Sequence, residues 1–183
     1  LGYMGEQIEA YFRDGREYGI SIAYSYEESP LGTGGAIRNA LPKMQEEDVL
    51  VLNADTYFDT DYRSLFQEQS GKRADMTIAS REIEDISRYG AIVKDTDGRI
   101  LRWNEKQSGS EETAPKRGEI NGGIYVMKRS LIEKIPAGKQ SLENDCIPVW
   151  LSRSVSIHAL PSDGYFMDIG VPEDYRRFQA DVQ

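Results

Sequence analysis

The segment DVLVLNAD, residues 48–55, constrains the fold more than any other part of the sequence. Four consecutive apolar residues follow Asp48, and the polar sequence Asn-Ala-Asp ends the run. Near-continuous apolar runs are typical of strands covered on both faces, whereas strands with one wet face alternate apolar and polar residues. The run therefore predicts a strand buried on both faces. Asp55 follows it at the carboxyl end, where ligands gather in open α/β sheets.

Helical and strand-like patterns alternate along the rest of the chain. Helical spacing covers five segments: GEQIEAYF, residues 36–44, DYRSLFQEQSG, SLENDCIPVWL and PEDYRRFQADVQ. In the second of these, Pro42 must end or kink the helix. Strand-like runs are residues 20–26, ADMTIASRE, the two runs around the Asp97-Gly98 hairpin signal, EINGGIYVMK, VSIHALP and YFMDIG. The order predicts an α/β fold that includes antiparallel pairs, and no linker composition divides residues 1–183, so we expect a single domain.

Composition and charge exclude several classes of function. The 183 residues are 39% hydrophobic, which is enough for a core, and the formal net charge of -9 opposes nonspecific binding to nucleic acid. A single cysteine, Cys146, and a single histidine, His158, exclude an internal disulfide and argue against a zinc site. The sequence contains no apolar run of the roughly 20 residues that a membrane helix needs. We therefore expect a cytoplasmic protein with no membrane or nucleic-acid partner.

A glycine-rich turn, ESPLGTGGAIRNAL, precedes one of the helical patterns. Gly32, Thr33 and Gly34 do not form a known phosphate motif, because the dinucleotide fingerprint needs Gly or Ala where Ile37 stands and the P-loop Gly-Lys-Ser/Thr is absent. Two interpretations remain open. The glycines form a tight turn with Thr33 capping the helix, or they allow the backbone to approach a ligand closely.

Two carboxylates stand out as candidate metal ligands. Asp55 follows the apolar run, although it could also cap the helix that starts near Asp61. Asp168 is enclosed by apolar residues in YFMDIG, which suggests that its carboxylate faces something specific. Two carboxylates that tend toward burial indicate a hard divalent cation that retains waters and substrate phosphates.

Three further places combine polar groups with glycines or charges. Glu105 and Lys106 end a strand. They are either an exposed charge pair or contacts to a sugar and a phosphate. Asn121 and Gly122 either bind sugar hydroxyls or form a strand bulge. The same two interpretations are open for Gly90. None of these places decides between the two interpretations by itself.

Six segments in this order resemble the sugar-1-phosphate nucleotidyltransferase family: ESPLGTGGAI, LVLNADTYFD, YGAIV, WNEK, INGGIYVMKRSLI and YFMDIGVPEDYRRF. The resemblance spans nearly the whole chain. It implies a Rossmann-like, GT-A-like α/β fold with a mixed sheet flanked by helices. It also implies the reaction of an NTP with a sugar 1-phosphate to give an NDP-sugar and pyrophosphate. GTP and heptose 1-phosphate are favoured as substrates, and mannose or glucose 1-phosphate with another base stay open.

The resemblance also implies a role for each candidate residue. The residues bordering the nucleobase and ribose would be Gly32, Thr33 and Gly34. The ligands of Mg²⁺, and thus the catalytic carboxylates, would be Asp55 and Asp168. The residues facing the sugar and its phosphate would be Gly90, Glu105, Asn121, Gly122 and Lys106.

One departure from the family pattern is large. Members of the family begin with a glycine-rich loop that contains an arginine, followed by a proline-lysine segment, and these neutralise the NTP phosphates. Neither precedes the first helical pattern of this sequence. We therefore expect a fragment that lacks the phosphate loop and the first strands and has little or no transferase activity alone. The alternative from another class is a catalytically silent ligand-sensing or assembly domain with the same fold.

Overall fold

The structure is a computed structural model that describes residues 1–86, 91–104 and 117–181. The chain folds as two compact units. The first unit comprises Leu1–Glu47 and Arg129–Ile147, and the second comprises Asp48–Lys128 and Pro148–Gln183. Over the described ranges, no helix has both the length and the apolar character needed to cross a bilayer.

The regular elements follow the predicted order closely. The helices are α1 (Gly5–Phe12), α2 (Gly32–Ala40), α3 (Tyr62–Lys72), α4 (Arg129–Ile132), α5 (Ile147–Ser152) and α6 (Pro172–Asp181). The strands are β1 (Asp48–Leu52), β2 (Thr56–Phe58), β3 (Met76–Ile83), β4 (Ala91–Lys94), β5 (Ile100–Asn104), β6 (Gly118–Lys128), β7 (Ile157–Pro161) and β8 (Phe166–Asp168). The predicted hairpin is confirmed, since Gly98 has a φ of +85° in the turn between β4 and β5.

The first unit contains α1, α2, α4 and short 3₁₀ and π turns, and one strand prediction is wrong there. Residues 20–26 form no strand, although their β-branched and aromatic pattern predicted one. A strand is defined by hydrogen bonds to a neighbour, and no described strand lies beside this segment to supply them. The helix after the glycine turn also begins four residues early, at Gly32, and Pro42 lies in the 3₁₀ turn that follows it.

The second unit contains the predicted mixed sheet. Five strands follow the order β5-β4-β6-β3-β7, and β1 pairs with β6 alongside them. Among the described strands, only β3 and β7 run parallel, and the other pairs of this sheet are antiparallel. On the side of β6 away from β3, the first part of β6 pairs with β4 and the last part pairs with β1. A separate two-stranded ribbon joins β2 to β8.

β1 differs from its prediction in burial. The apolar run predicted a strand buried on both faces, but four of its residues are half-buried and Leu52 is 50% exposed. The reason is that β1 has a single described neighbour, β6, and its other edge has no strand beside it.

A bulge interrupts β6 where its pairing with β3 changes register. Ile78 pairs with Tyr125 and Ser80 pairs with Asn121. The two pairs are therefore two residues apart along β3 and four residues apart along β6. The extra residues include Gly123, whose φ of +72° favours glycine. Gly122 is buried, and a Cβ atom there would lie 2.5 Å from two ring carbons of Phe58 and 2.7 Å from the Ala79 carbonyl oxygen. The bulge interpretation of Asn121-Gly122 is therefore confirmed.

The core of the second unit lies where α3 covers the sheet. Its cluster of buried side chains brings α3, β2, β3 and β6 together and consists of Phe58, Leu65, Ala79, Ile124 and Val126. Leu50 of β1 and Phe166 of β8 pack against this cluster. The sheet and the β2–β8 ribbon are thus held by one set of apolar contacts.

Gly122→Ala should destabilise the protein by about 2–3 kcal/mol, because the added methyl group must displace Phe58 from the core. The matched control is Gly71→Ala, at an exposed position of helix α3 where nothing lies within 4 Å of the added Cβ. That control should stabilise the protein by about 0.5–1 kcal/mol through helix propensity. Urea unfolding of both variants measures the difference, and equal effects of the two substitutions would contradict the packing described for Gly122.

Candidate active site

The ribbon of β2 and β8 brings together two carboxylates that are distant in the sequence. Thr56 pairs with Asp168, and Phe58 pairs with Phe166, in antiparallel register. One step beyond the ladder, the Ile169 N–H donates to the Asp55 carbonyl oxygen at 2.8 Å. Asp55 directly precedes β2 and Asp168 is the last residue of β8, so the two residues lie at the same end of the ribbon.

The two side chains converge beside Gly170. A Cβ atom at Gly170 would lie 3.2 Å from Asp168 Oδ1 and 3.4 Å from Asp55 Oδ2, so glycine leaves open the space that these oxygens border. The Gly170 N–H donates to Asp168 Oδ1 at 3.0 Å and fixes the orientation of that carboxylate. The two acidic groups thus face a common open space, and the sequence analysis did not single out Gly170.

The expectation that both carboxylates tend toward burial is wrong for Asp55. Asp55 is exposed, whereas Asp168 is half-buried beside the buried Met167. The exposed position follows from the chain path, since Asp55 lies in the turn between β1 and β2 rather than inside a strand. In the part of the chain that the structure describes, no three or more His, Cys, Asp or Glu side chains form a metal-binding group. Any cation here would take its remaining ligands from water and substrate.

Asp55 does not cap the following helix. Asp61 is the N-cap of α3, where its carboxylate accepts from the Arg63 N–H at 3.0 Å and the Ser64 hydroxyl at 2.6 Å. The hydrogen bond from Ser64, with that from the Arg63 N–H, holds the pKa of Asp61 below its usual value. The role of helix cap, which was the alternative considered for Asp55, therefore belongs to Asp61.

A pocket of about 240 Å³ lies next to Asp55 in the second unit. The residues that line it with polar groups are Asn53, Thr56, Tyr57, Asp59, Thr60 and Tyr62. Leu52, Phe58 and Ile124 form its apolar part. None of the predicted site residues lines this pocket, and the sequence carried no signal for it beyond the polarity of Asn53.

The glycine turn of the first unit packs against its own chain. Gly32 has a φ of +70°, and a Cβ atom there would lie 2.6 Å from the Gln140 carbonyl oxygen. Thr33 Oγ1 donates to Glu143 at 2.6 Å and accepts from the Leu142 N–H at 2.8 Å. Thr33 is therefore not the helix cap, because Leu31 occupies that position without a side-chain bond. The glycines permit close approach, and the group that approaches them is the backbone of residues 138–142.

Gly34 lies deeper than the other two predicted nucleotide contacts. It is buried, and a Cβ atom there would lie 3.2 Å from Cys146 Sγ, whereas Gly32 and Thr33 are exposed. Burial raises the pKa of the Cys146 thiol to about 11, so the thiol stays protonated at neutral pH and is a poor nucleophile. Of the three residues, Gly32 and Thr33 are the ones open to a ligand.

The predicted sugar contacts are only partly described by the structure. Asn121 Nδ2 donates to the Tyr125 hydroxyl at 2.6 Å, and Asn121 Oδ1 accepts from the Gly123 N–H at 3.0 Å, so the amide stabilises the bulge. Gly122 is packed under Phe58. Three further predicted residues lie outside the described residues: Gly90, Glu105 and Lys106. Their roles in binding the sugar and its phosphate stay predictions.

A polar cluster on the sheet was missed by the sequence analysis. Lys94 Nζ lies 2.6 Å from Glu119 Oε1, and the hydroxyl of the fully buried Ser80 also donates to Glu119. The Lys94 and Glu119 side chains are both largely buried. These residues come from three different strands, so no local pattern in the sequence could have brought them together.

Thr33→Val should cost about 1–2 kcal/mol of stability, because the Leu142 N–H and Glu143 lose their shared hydroxyl partner while the shape of the side chain is kept. Thr33→Ser retains the hydroxyl and should stay within about 0.5 kcal/mol of the original protein. Urea unfolding measures both variants. Equal stability of the valine and serine variants would show that the hydroxyl does not hold the turn to residues 140–143.

Comparison with known proteins identifies the family. The nucleotidyl transferase family model matches residues 3–183. D-glycero-α-D-manno-heptose 1-phosphate guanylyltransferase from Aneurinibacillus thermoaerophilus is 39% identical over 183 residues, covering 100% of this chain and 76% of that protein. Mannose-1-phosphate guanylyltransferase from Mycobacterium tuberculosis is 34% identical over 182 residues, covering 98% of this chain and 49% of that protein.

Solved structures agree with the sequence comparison. The crystal structure of HddC from Yersinia pseudotuberculosis matches with a TM-score of 0.84 and 31% identity, covering 100% of this chain and 76% of that one. The same protein complexed with GMP-PN matches with a TM-score of 0.83. The Rossmann-like α/β fold and the resemblance predicted from six segments are confirmed. The chain belongs to the nucleotidyl transferase family.

Proposed function

We propose that the chain is the part of a sugar-1-phosphate guanylyltransferase that binds the cation, the nucleobase and the sugar. The observation that carries the proposal is the convergence of Asp55 Oδ2 and Asp168 Oδ1 beside Gly170. Relatives at 39% and 34% identity are named guanylyltransferases for heptose 1-phosphate and mannose 1-phosphate, which supports GTP as the donor. The complex of HddC with GMP-PN supports the same base.

The carboxylate pair fits a divalent cation such as Mg²⁺. Two carboxylate oxygens facing an open, solvent-accessible space are the ligand set that Mg²⁺ takes when waters and phosphate oxygens complete its shell. When bound, Mg²⁺ would neutralise the charge of the NTP and of the attacking sugar phosphate. The Gly170 N–H orients Asp168, and the Ile169 N–H fixes the backbone of Asp55, so the chain holds both groups in place before the substrate arrives.

The proposed reaction needs no nucleophile from the protein. An oxygen of the sugar 1-phosphate forms a bond to the α-phosphorus of GTP, and the bond from that phosphorus to the bridging oxygen of pyrophosphate breaks. The chain contributes positioning and charge neutralisation. A protonated, buried Cys146 is consistent with this mechanism, because the protein supplies no covalent step.

The nucleobase would lie against the exposed part of the glycine turn in the first unit. Gly32 and Thr33 present backbone and a short side chain there, and Gly34 supports them from the buried side. Heptose 1-phosphate is the favoured acceptor, since relatives from Aneurinibacillus thermoaerophilus and Campylobacter jejuni are named for it. Mannose 1-phosphate is the second candidate, supported by the relative from Mycobacterium tuberculosis.

Isothermal titration of the folded chain with GDP-mannose in Mg²⁺ tests the proposal. Asp168→Asn should weaken binding at least 10-fold, because it removes one anionic cation ligand. The amide oxygen of Asn can still accept from the Gly170 N–H, so the local structure is kept. The control is Asp59→Asn, because Asp59 is an exposed carboxylate just after β2 and is not one of the two proposed cation ligands. This substitution should change the dissociation constant less than twofold.

Two outcomes would contradict the proposal. Equal binding by the original protein and the Asp168→Asn variant would exclude the carboxylate pair as the cation site. No binding of GDP-mannose or GTP by a chain that circular dichroism shows to be folded would favour the catalytically silent domain. The transfer activity of this chain alone is proposed to be low, and release of pyrophosphate from GTP and mannose 1-phosphate measures it directly.

A further inference from the structure

The carboxylate of Glu119 has one oxygen in use and one available. Lys94 Nζ donates to Glu119 Oε1 at 2.6 Å, and the Ser80 hydroxyl donates to the same oxygen. A carboxylate can accept about four hydrogen bonds on its two oxygens. In the part of the chain that the structure describes, Glu119 Oε2 accepts no hydrogen bond and still reaches solvent. This oxygen can therefore accept a hydrogen bond from a ligand.

Lys94 and Ser80 fix the position of this carboxylate. The side chains of Lys94 and Glu119 are 22% and 17% exposed, and Ser80 is fully buried. Lys94 lies on β4 and Ser80 on β3, the two neighbours of this part of β6, so Glu119 is held from both sides. A side chain that is already held in one orientation loses little conformational freedom on binding. The available oxygen is thus positioned before a ligand arrives.

Glu119 shares a face of the sheet with Asn121, a sugar contact implied by the family resemblance. Residues two apart on a strand point to the same face, and β6 is regular between these two residues. Ser80 connects them, since it pairs with Asn121 in the ladder and donates to Glu119. A ligand that contacts Asn121 on this face therefore has a carboxylate oxygen next to it.

The same face carries an apolar and aromatic surface beside Glu119. Ile92 pairs with Glu119 on one side and with Trp103 on the other, and directly opposed residues share a face. The indole N–H of Trp103 is buried and has no hydrogen-bond partner among the described residues. Buried N–H groups are nearly always bonded, so water or a ligand is the partner it lacks. Apolar walls with a few polar groups are the usual lining of a site for a small molecule.

The order of contacts along β6 gives the direction of a bound sugar. Gly122 packs against Phe58 of the β2–β8 ribbon, which carries the carboxylate pair at its other end. Asn121 is the next residue along β6, and Glu119 lies farther from the ribbon. A sugar whose 1-phosphate lies at the carboxylate pair turns its C1 toward the ribbon. Its opposite end, with the hydroxyls at C4 and C6, then points toward Glu119.

We propose that Glu119 Oε2 accepts a hydrogen bond from a hydroxyl of the acceptor sugar, at C4 or C6. Glu119 is then a specificity-determining residue, whereas Lys94 and Ser80 are positioning residues that act through it. The inference rests on the proposed function, because it takes a sugar 1-phosphate as the acceptor.

Isothermal titration with GDP-mannose and with GDP, both in Mg²⁺, tests the inference. Glu119→Gln should weaken the binding of GDP-mannose about 10-fold. The amide oxygen of Gln keeps the hydrogen bond from Ser80, and the amide nitrogen then replaces the accepting oxygen Oε2. Binding of GDP, which is the same ligand without the sugar, should change less than twofold.

The matched control is Glu82→Gln. Glu82 pairs with Glu119 in the ladder of β3 and β6, but its side chain is exposed and accepts from Arg117. This substitution should change the binding of both ligands less than twofold.

Two further measurements separate sugar binding from folding. The double variant Lys94→Met, Glu119→Gln leaves no unpaired ammonium group in the cluster and should show the same loss of GDP-mannose binding. The 4-deoxy and 6-deoxy analogues of GDP-mannose each lack one of the two hydroxyls. At least one analogue should bind equally to the original protein and to the Glu119→Gln variant, because the hydroxyl that donates to Glu119 is missing.

The outcomes distinguish this inference from the proposed function. Glu119→Gln variants that bind GDP-mannose normally, or that lose GDP and GDP-mannose alike, would overturn the inference and leave the proposed function standing. The same loss for both deoxy analogues as for GDP-mannose would also overturn it. Failure of the folded original protein to bind GDP-mannose would overturn the proposed function, and the inference with it.

Discussion

The candidate site depends on the pairing of two three-residue strands, β2 and β8. An isolated two-stranded ribbon is marginally stable in water, so this one must be held by its side chains. Phe58 and Phe166 pack edge to face with ring centroids 5.4 Å apart, and Phe58 is part of the α3-covered core. On the other face, the Tyr57 ring lies 4.9 Å from that of Phe178 in α6. The aromatic contacts fix the ribbon, and the ribbon places Asp55 beside Asp168.

Three glycines, two in the second unit and one in the first, serve the fold in three different ways. Gly122 leaves room for Phe58, which carries the core contact of the ribbon, and Gly170 leaves room for two carboxylate oxygens. Gly32 lets the turn of the first unit approach the carbonyl oxygen of Gln140. A glycine in a motif therefore does not by itself indicate a ligand, since two of these three positions are explained by packing within the chain.

Elements with their own local pattern could be predicted from the sequence. Helix α1, helix α3 and the hairpin at Gly98 follow from residue spacing and turn chemistry, whereas Asp61 as the cap of α3 was not predicted. Features that depend on a neighbour could not be predicted. Residues 20–26 have strand composition but no described strand beside them, and β1 has the sequence of a covered strand but, among the described residues, a strand on one side only. The meeting of Asp55 with Asp168 came from the family resemblance, because their convergence depends on a ladder between distant segments.

Paramagnetic broadening by Mn²⁺ tests the central claim, that the β2–β8 ribbon builds a divalent cation site from Asp55 and Asp168. Mn²⁺ takes the same oxygen ligands as Mg²⁺ and broadens the NMR signals of amides close to it. We predict that substoichiometric Mn²⁺ broadens the amide signals of Thr56, Ile169 and Gly170 first, and that excess Mg²⁺ restores them. Broadening that begins elsewhere in the acidic chain and leaves Gly170 sharp would contradict the claim.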